Sequence, residues 1–288
     1  MSEVLDEVDW TQRRDLHRKR VATILGPYRQ RRSGGVADPV VDFLFTYYTL
    51  RPGQLERWHP GFGVVLSGHA SVMTGYTRTD QGITVDPKLL LHRRATIEFV
   101  AGLLEATAGR APHFGCFGLH EWAMVYRSPA DDVRHRGVPL RLGAGGTDAV
   151  VESLPLRCTH FDAFRFFTDA ARPRNNIELT RQAQPATEQP GCVHASMDLY
   201  KWGVKLLPLI DSGVVLDAFE LAYDARVLDM RASPYDLREF GYQPICVESA
   251  SGRAEYVRDQ AAIAERAAEL RQALITRCRT LLEANRIQ

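Results

Sequence analysis

Residues 194–230 read HASMDLYKWGVKLLPLIDSGVVLDAFELAYDARVLDM, and this stretch decides the fold class. It predicts two helices, because strong helix formers fill both halves and Asp211 or Ser212 can cap the second one. Further on, residues 252–284 read GRAEYVRDQAAIAERAAELRQALITRCRTLLEA and predict a third, longer helix. The C-terminal third is therefore predicted to be helical.

Upstream of this region the pattern mixes helices with a small β element. Residues 11–30 predict a first helix, and the apolar run at 40–50 predicts a buried helix or strand. Residues 63–85 combine β-branched runs with glycine turns, which is typical of short strands. A helix is predicted over 86–109, because an Asp-Pro pair begins it, and residues 141–153 predict a turn and a strand.

Loops are predicted at 128–137 and at 172–192, where proline, glycine and polar residues accumulate. The sequence has no internal repeat and no low-complexity linker. We therefore expect an α-rich α+β fold, a mostly helical single domain over 1–288. Its small β element lies near 63–85.

Composition narrows the class of protein. A chain of 288 residues with 45% hydrophobic residues can bury a large core. No apolar run approaches the roughly 18–20 residues that cross a bilayer, so no membrane partner is expected. The acidic N-terminus lacks the apolar centre of a signal peptide. Five cysteines at irregular spacing do not make a disulfide framework, which indicates a cytoplasmic protein.

The N-terminal helical segment at about 11–32 is basic, although the formal net charge of the chain is only +1. Such a run can contact the phosphates of DNA, which would make binding salt-dependent. The alternative is the solvated face of a helix. The residues predicted to contact phosphates are Arg13, Arg14, Arg18, Lys19 and Arg20.

A cysteine is followed closely by a histidine three times in the middle of the chain. These pairs are Cys116 and His120, Cys158 and His160, and Cys192 and His194. If the three segments converge, the cysteines are candidate ligands for zinc or iron, which bind thiolate sulfur and imidazole nitrogen. The alternative is that the cysteines are small buried hydrophobes, as free cysteines often are.

Acidic residues lie among aromatic rings near these pairs. Burial there raises the pKa of a carboxyl group and prepares it for acid–base work, so Glu121 and Asp162 are candidate catalytic residues. Asp148, which follows a glycine-rich turn, is a third candidate. Alternatively Asp162 pairs with Arg165, three residues away on a helix. Glu121 has no cationic neighbour in the sequence before Arg127.

Flat rings and polar groups in the same segments are typical of a pocket for a nucleobase, on which aromatic side chains stack. We expect the three histidines to line one shared cavity with Trp122 and Trp202 nearby. The predicted substrate-binding residues are Trp58, His59, His120, Trp122, His160, Phe161, His194, Asp198 and Trp202. Asp198 has an alternative partner in Lys201, three residues on.

Five segments together carry a resemblance that extends over about residues 10–285. They are DFLFTYYTLRPGQLERWHPGFG, FGCFGLHEWAMVYR, THFDAFRFFTDAARP, QPGCVHASMDLYKW and LDMRASPYDLREFGY. As a set they resemble a family of actinobacterial proteins labelled 3-methyladenine DNA glycosylase. The resemblance implies an N-glycosylase that excises an alkylated purine such as 3-methyladenine from DNA. It assigns no catalytic residue, because no known glycosylase motif is present.

Two other functions stay open. The first is a metal-dependent enzyme that acts on a small molecule or a nucleobase through the Cys/His cluster. The second is a non-enzymatic binding protein in which the aromatic segments form the core.

Overall fold

The computed structural model describes residues 3–48, 50–128 and 137–285. Over these residues helix far exceeds strand, because the four strands have only three residues each. The prediction of an α-rich α+β fold with a helical C-terminal third is confirmed. Most of the loop predicted at 128–137 lies outside the described residues.

The elements follow in this order along the chain. They are β1 (Glu3–Leu5), α1 (Glu7–Ser33), α2 (Val41–Tyr47), α3 (Pro52–Leu55), β2 (Val64–Leu66), β3 (Tyr76–Arg78), β4 (Ile83–Val85), α4 (Pro87–His92), α5 (Arg94–Ala108), α6 (Leu119–Ala123), α7 (Gly143–Ser153), α8 (Phe161–Phe164), α9 (Gln184–Thr187), α10 (Val193–Leu206), α11 (Ser212–Arg231) and α12 (Ala250–Ala284).

The chain divides into two compact units. The first consists of Met1–Glu105, Leu199–Glu220 and Glu269–Gln288, and the second of Ala106–Asp198 and Leu221–Ala268. The expectation of a single domain stays a prediction.

The first unit contains the sheet, with strand order β1-β2-β4-β3. Strand β1 pairs parallel to β2, whereas β4 pairs antiparallel to both β2 and β3. Gly82 lies just before β4, and a Cβ atom there would come within 2.2 Å of the Leu66 carbonyl oxygen. Only glycine therefore fits this close approach. Asp6 caps the helix α1, because its carboxylate accepts a hydrogen bond from the Asp9 amide.

Two predictions from the sequence differ from the structure. The strand predicted over 141–153 is wrong, because Thr147, Val150 and Val151 recur at helical spacing and form the buried face of α7. The loop predicted at 172–192 contains a short 3-10 helix and α9. The run at 40–50, predicted to be a helix or a strand, contains the helix α2. The strand β1 was not predicted, because three residues carry too little pattern.

In the second unit, the histidines His120 and His194 lie in the first turns of α6 and α10, and their cysteines lie just before these helices. The third pair lies in the segment before α8. The last turns of α11 and the first turns of α12 carry further polar side chains that are buried. Among the described residues, no helix combines the length and the apolar composition needed to cross a bilayer.

Candidate metal centre

All three cysteine–histidine pairs meet at one small cavity in the second unit. Its volume is about 10 Å³, which is room for about one water molecule or ion. The lining includes Cys116, His120, Cys158, His160, Cys192 and His194. The segments therefore converge, although they lie far apart in the sequence.

A strained turn positions the first pair. Phe117 and Gly118 have φ angles of 52° and 71°, so two successive residues adopt the left-handed conformation. Glycine accepts this conformation freely, but for phenylalanine it is strained, and such strain concentrates at functional sites. The turn brings the Cys116 sulfur within 3.4 Å of His120 Nδ1.

A buried carboxylate holds the other side of the His120 ring. His120 Nε2 lies 2.7 Å from Asp229 Oδ1, and both side chains are buried. Arg226 Nη1 lies 2.8 Å from Glu121 Oε1 and 3.3 Å from Asp229 Oδ2. Burial lowers the pKa of His120, but the charges of Asp229 and Cys116 outweigh it and hold that pKa well above its usual value. The two ring nitrogens of His120 thus have different partners, because Nδ1 faces Cys116 and Nε2 faces Asp229.

The backbone around Cys158 is fixed by an asparagine. Asn175 Oδ1 accepts a hydrogen bond from the Cys158 amide at 2.8 Å, and Asn175 Nδ2 donates one to the Cys158 carbonyl at 3.0 Å. Burial raises the pKa of the Cys158 thiol well above its usual value, and repulsion from Cys116 and Cys192 adds to this. All three cysteines line the same cavity.

Cys192 is positioned by the glycine before it. The Gly191 amide donates to Gln189 Oε1 at 2.7 Å, and Gln260 Nε2 donates to the Gly191 carbonyl at 2.6 Å. A Cβ atom on Gly191 would come within 2.9 Å of the His113 backbone. The packing there has no room for a side chain.

The other two histidines form a polar cluster next to this turn. His160 Nε2 lies 3.3 Å from Asp198 Oδ2 and 3.6 Å from Glu188 Oε2, and all three side chains are buried. The His194 ring stacks on His160 with centroids 5.4 Å apart, and it meets His120 edge-on at 4.4 Å. Burial, together with the charges of the two neighbouring histidines, holds the pKa of His194 well below its usual value.

A second donor set overlaps this cavity. The ligand atoms of His120, Glu121, His194 and Asp229 lie within 4.8 Å of one another, and all four residues are buried. However, the guanidinium of Arg226 already contacts both carboxylates. An ion placed between them would face this buried cation at short range, which is unfavourable. The Cys116 side of His120 is therefore the better place for a metal ion.

Two predicted catalytic acids have structural partners. Asp162 is paired with Arg181 at 2.6 Å and with Arg165 at 3.4 Å, as the alternative interpretation expected for Arg165. The Arg181 guanidinium also lies over the Phe161 ring at 4.7 Å. Asp148 Oδ1 accepts the backbone amide of Arg127 at 2.8 Å.

Glu121 has a cationic partner that its sequence neighbours do not reveal, because Arg226 is brought to it from a distant part of the chain. Trp122 is buried and its indole nitrogen donates to the Ala232 carbonyl at 2.8 Å. Trp58, His59 and Trp202 belong to the first unit. Their predicted role in substrate binding stays a prediction.

Most of the residues predicted to contact phosphates form ion pairs with acidic residues of the first unit. Arg13 pairs with Glu3 at 3.6 Å, and Arg14 and Arg18 lie 2.9 Å and 4.0 Å from Asp15. Arg20 pairs with two carboxylates of α11, Asp217 and Glu220. Lys19 is exposed. These acids offset much of the positive charge that the sequence suggested.

Sequence reasoning missed five residues around the cavity. Glu188 precedes α10, Arg226 and Asp229 lie in α11, and Tyr256 and Gln260 lie in α12. One signal was present for α11. Arg226 and Asp229 lie four and seven residues after Ala222, on the same helical face as this buried alanine.

Comparison of the chain with family models, with curated proteins and with solved structures finds no match.

Proposed function

We propose that the second unit binds one zinc ion through Cys116, Cys158, Cys192 and Nδ1 of His120, and that the protein is a metal-dependent enzyme acting on a small molecule. The observation that carries the proposal is the separation of 3.4 Å between the Cys116 sulfur and His120 Nδ1. Two ligands of one tetrahedral zinc ion, at bond lengths of 2.3 and 2.0–2.1 Å, are separated by about 3.5 Å.

The opposite side of His120 supports the same assignment. A histidine that binds a metal usually donates its other ring N–H to a carboxylate, which fixes the tautomer and the ring orientation. Asp229 offers this partner at 2.7 Å, and Arg226 in turn orients Asp229. Asp229 thus supports the proposal as the outer partner that His120 would need as a ligand.

The ligand types favour zinc. Thiolates select zinc, copper(I) and iron–sulfur centres, whereas sites built from carboxylates and carbonyls suit magnesium and calcium. A cavity of about 10 Å³ suits a single ion better than a cluster of several atoms. Iron, which also binds thiolate, is the outcome that metal analysis must distinguish from zinc.

The surroundings of the cavity favour catalysis over a purely structural role. His160, Asp198 and Glu188 are buried ionisable groups that a structural zinc site does not need. Burying such groups is unfavourable by several kcal/mol each, and they concentrate in active sites. Cys116 and Cys192 are partly exposed, so a substrate can approach the ion from this side. A catalytic zinc ion keeps one position open for water or substrate, so in this role a substrate would displace one of the four proposed ligands.

Metal analysis of purified protein tests the proposal. We expect close to one zinc per chain, and Cys116→Ser, Cys158→Ser and Cys192→Ser should each lower the zinc content and the melting temperature. Cys246→Ser is the matched control, since Cys246 is a free cysteine of the same unit that does not line the cavity. If the wild type, reconstituted under reducing conditions, binds no zinc, or if all three variants retain it, the proposal fails.

The glycosylase activity remains a second proposal that rests on the sequence resemblance. A cavity of about 10 Å³ cannot hold a flipped purine, so such an activity would need a different pocket. Incubation of folded, zinc-loaded protein with methylated DNA tests it directly. Release of 3-methyladenine would support the glycosylase, and its absence over a range of salt concentrations would remove it.

A further inference from the structure

Arg157 differs from most other arginines in the described part of the chain. Arg157 is exposed and lines the cavity, and no hydrogen bond or ion pair engages its guanidinium among the described residues. Its guanidinium lies against Gly115, since a Cβ atom added there would be 3.5 Å from Arg157 Nη1. A cation is therefore held at the edge of the cavity, one residue from Cys116.

Two buried polar atoms belong to other residues that line the cavity. Tyr256 and Gln260 are one turn apart on α12 and line the cavity, with exposures of 0% and 2%. The Tyr256 hydroxyl and Gln260 Oε1 have no hydrogen-bond partner in the described part of the chain. A buried polar atom without a partner is unfavourable by about 1–3 kcal/mol, so native proteins rarely leave one unless a water molecule or a ligand completes it.

We infer that these three residues form the substrate subsite of the metal centre, and that the substrate is a small molecule carrying an oxyanion, a carboxylate or a phosphate. This inference rests on the proposed function. The planar guanidinium of arginine matches both oxyanions, to which it donates two parallel hydrogen bonds. Arg157 binds the oxyanion at the exposed rim, outside the space of about 10 Å³ that the ion fills. Gln260 Oε1 is an acceptor, so it and the Tyr256 hydroxyl pair with a hydroxyl or N–H group at the inner end of the substrate and not with the oxyanion.

Cobalt(II) replaces the zinc in the test, because its visible absorption reports changes at the metal. Acetate and inorganic phosphate are titrated separately into the cobalt-loaded protein, with neutral acetamide as the control of similar shape. We expect a saturable spectral change with at least one anion and none with acetamide. Arg157→Gln should weaken this binding by roughly 10-fold or more, since a charge-assisted hydrogen bond is lost. Arg238→Gln is the matched control, because Arg238 pairs with Asp236 elsewhere in the second unit.

The outcomes separate the inference from the proposal beneath it. If cobalt binds but neither anion changes the spectrum, or if Arg157→Gln binds the anion as tightly as the wild type, the subsite is refuted and the metal centre stands. If acetamide binds as tightly as acetate, the oxyanion assignment is refuted. Failure of cobalt and zinc to bind at all would overturn the metal centre and the subsite together. Acetate and phosphate, compared with each other, identify the anion.

Discussion

The Asp229→Asn variant is expected to weaken zinc binding without touching the ion. The asparagine keeps the size of the side chain and an oxygen that can accept the His120 N–H, but it removes the negative charge 2.7 Å from that ring. Loss of an outer partner of a metal-binding histidine typically lowers metal affinity 10–100-fold. This corresponds to about 1.4–2.8 kcal/mol of binding free energy.

The same change should also lower the free energy of unfolding. Asp229 and Arg226 are 0% and 1% exposed on their side chains, so the substitution leaves a buried guanidinium with less compensating charge. Removing one partner of a buried pair typically lowers stability by about 3–5 kcal/mol. Glu121 remains as a second partner of Arg226, which places the expected loss near the lower end.

Asp224→Asn on the same helix is the matched control. Asp224 pairs with Arg266, but their side chains are 48% and 52% exposed, so the pair should contribute less than about 1 kcal/mol. Zinc affinity is measured by competition with a chromophoric chelator, and stability by urea unfolding of the metal-free proteins. The reasoning is refuted if folded Asp229→Asn protein binds zinc within twofold of Asp224→Asn.

Three further predictions concern other parts of the chain. Burial lowers the pKa of His59 from 6.5 to about 4. The contribution of His59 to the free energy of unfolding should therefore be constant above about pH 6.5 and fall between pH 6.5 and 4, because the unfolded state takes up the proton first. Comparison of wild type with His59→Gln by urea unfolding across this range should isolate a loss of about 3 kcal/mol, and parallel curves would contradict it. Gly191→Ala should lower stability by about 1–3 kcal/mol and reduce zinc content, because the added Cβ would displace the neighbouring Cys192. Gly145→Ala is the control, because a Cβ there meets no atom within 4 Å, and it should change neither quantity. Equal zinc content in both variants would count against the role of Cys192. Removal of zinc with a chelator should lower the melting temperature by about 5–10 °C, reversibly on adding zinc but not magnesium, and an unchanged melting temperature would show that the fold does not depend on the ion.

Much of the fold could be predicted from the sequence, because long helices such as α11 and α12 repeat their signal over many residues. The strand β1 has three residues, and in α7 the glycines masked a helical spacing of Thr147, Val150 and Val151. Short elements depend on tertiary contacts, which a local pattern does not contain.

Part of the candidate site could likewise be predicted from the sequence, and part could not. The cysteine–histidine pairs were visible because these residue types are rare and clustered, so their convergence was a reasonable hypothesis. The partners were not visible, because Arg226, Asp229 and Glu188 look like ordinary surface charges until packing buries them. Only the structure shows that Glu121, which has no cation near it in the sequence, has one in space.

X-ray absorption at the zinc edge tests the central claim most directly, because it counts the atoms bound to the ion. Binding through Cys116, Cys158, Cys192 and His120 predicts three sulfur atoms at about 2.3 Å and one nitrogen at about 2.0 Å. A first shell of nitrogen and oxygen alone, as His194 and the carboxylates would give, would contradict the account.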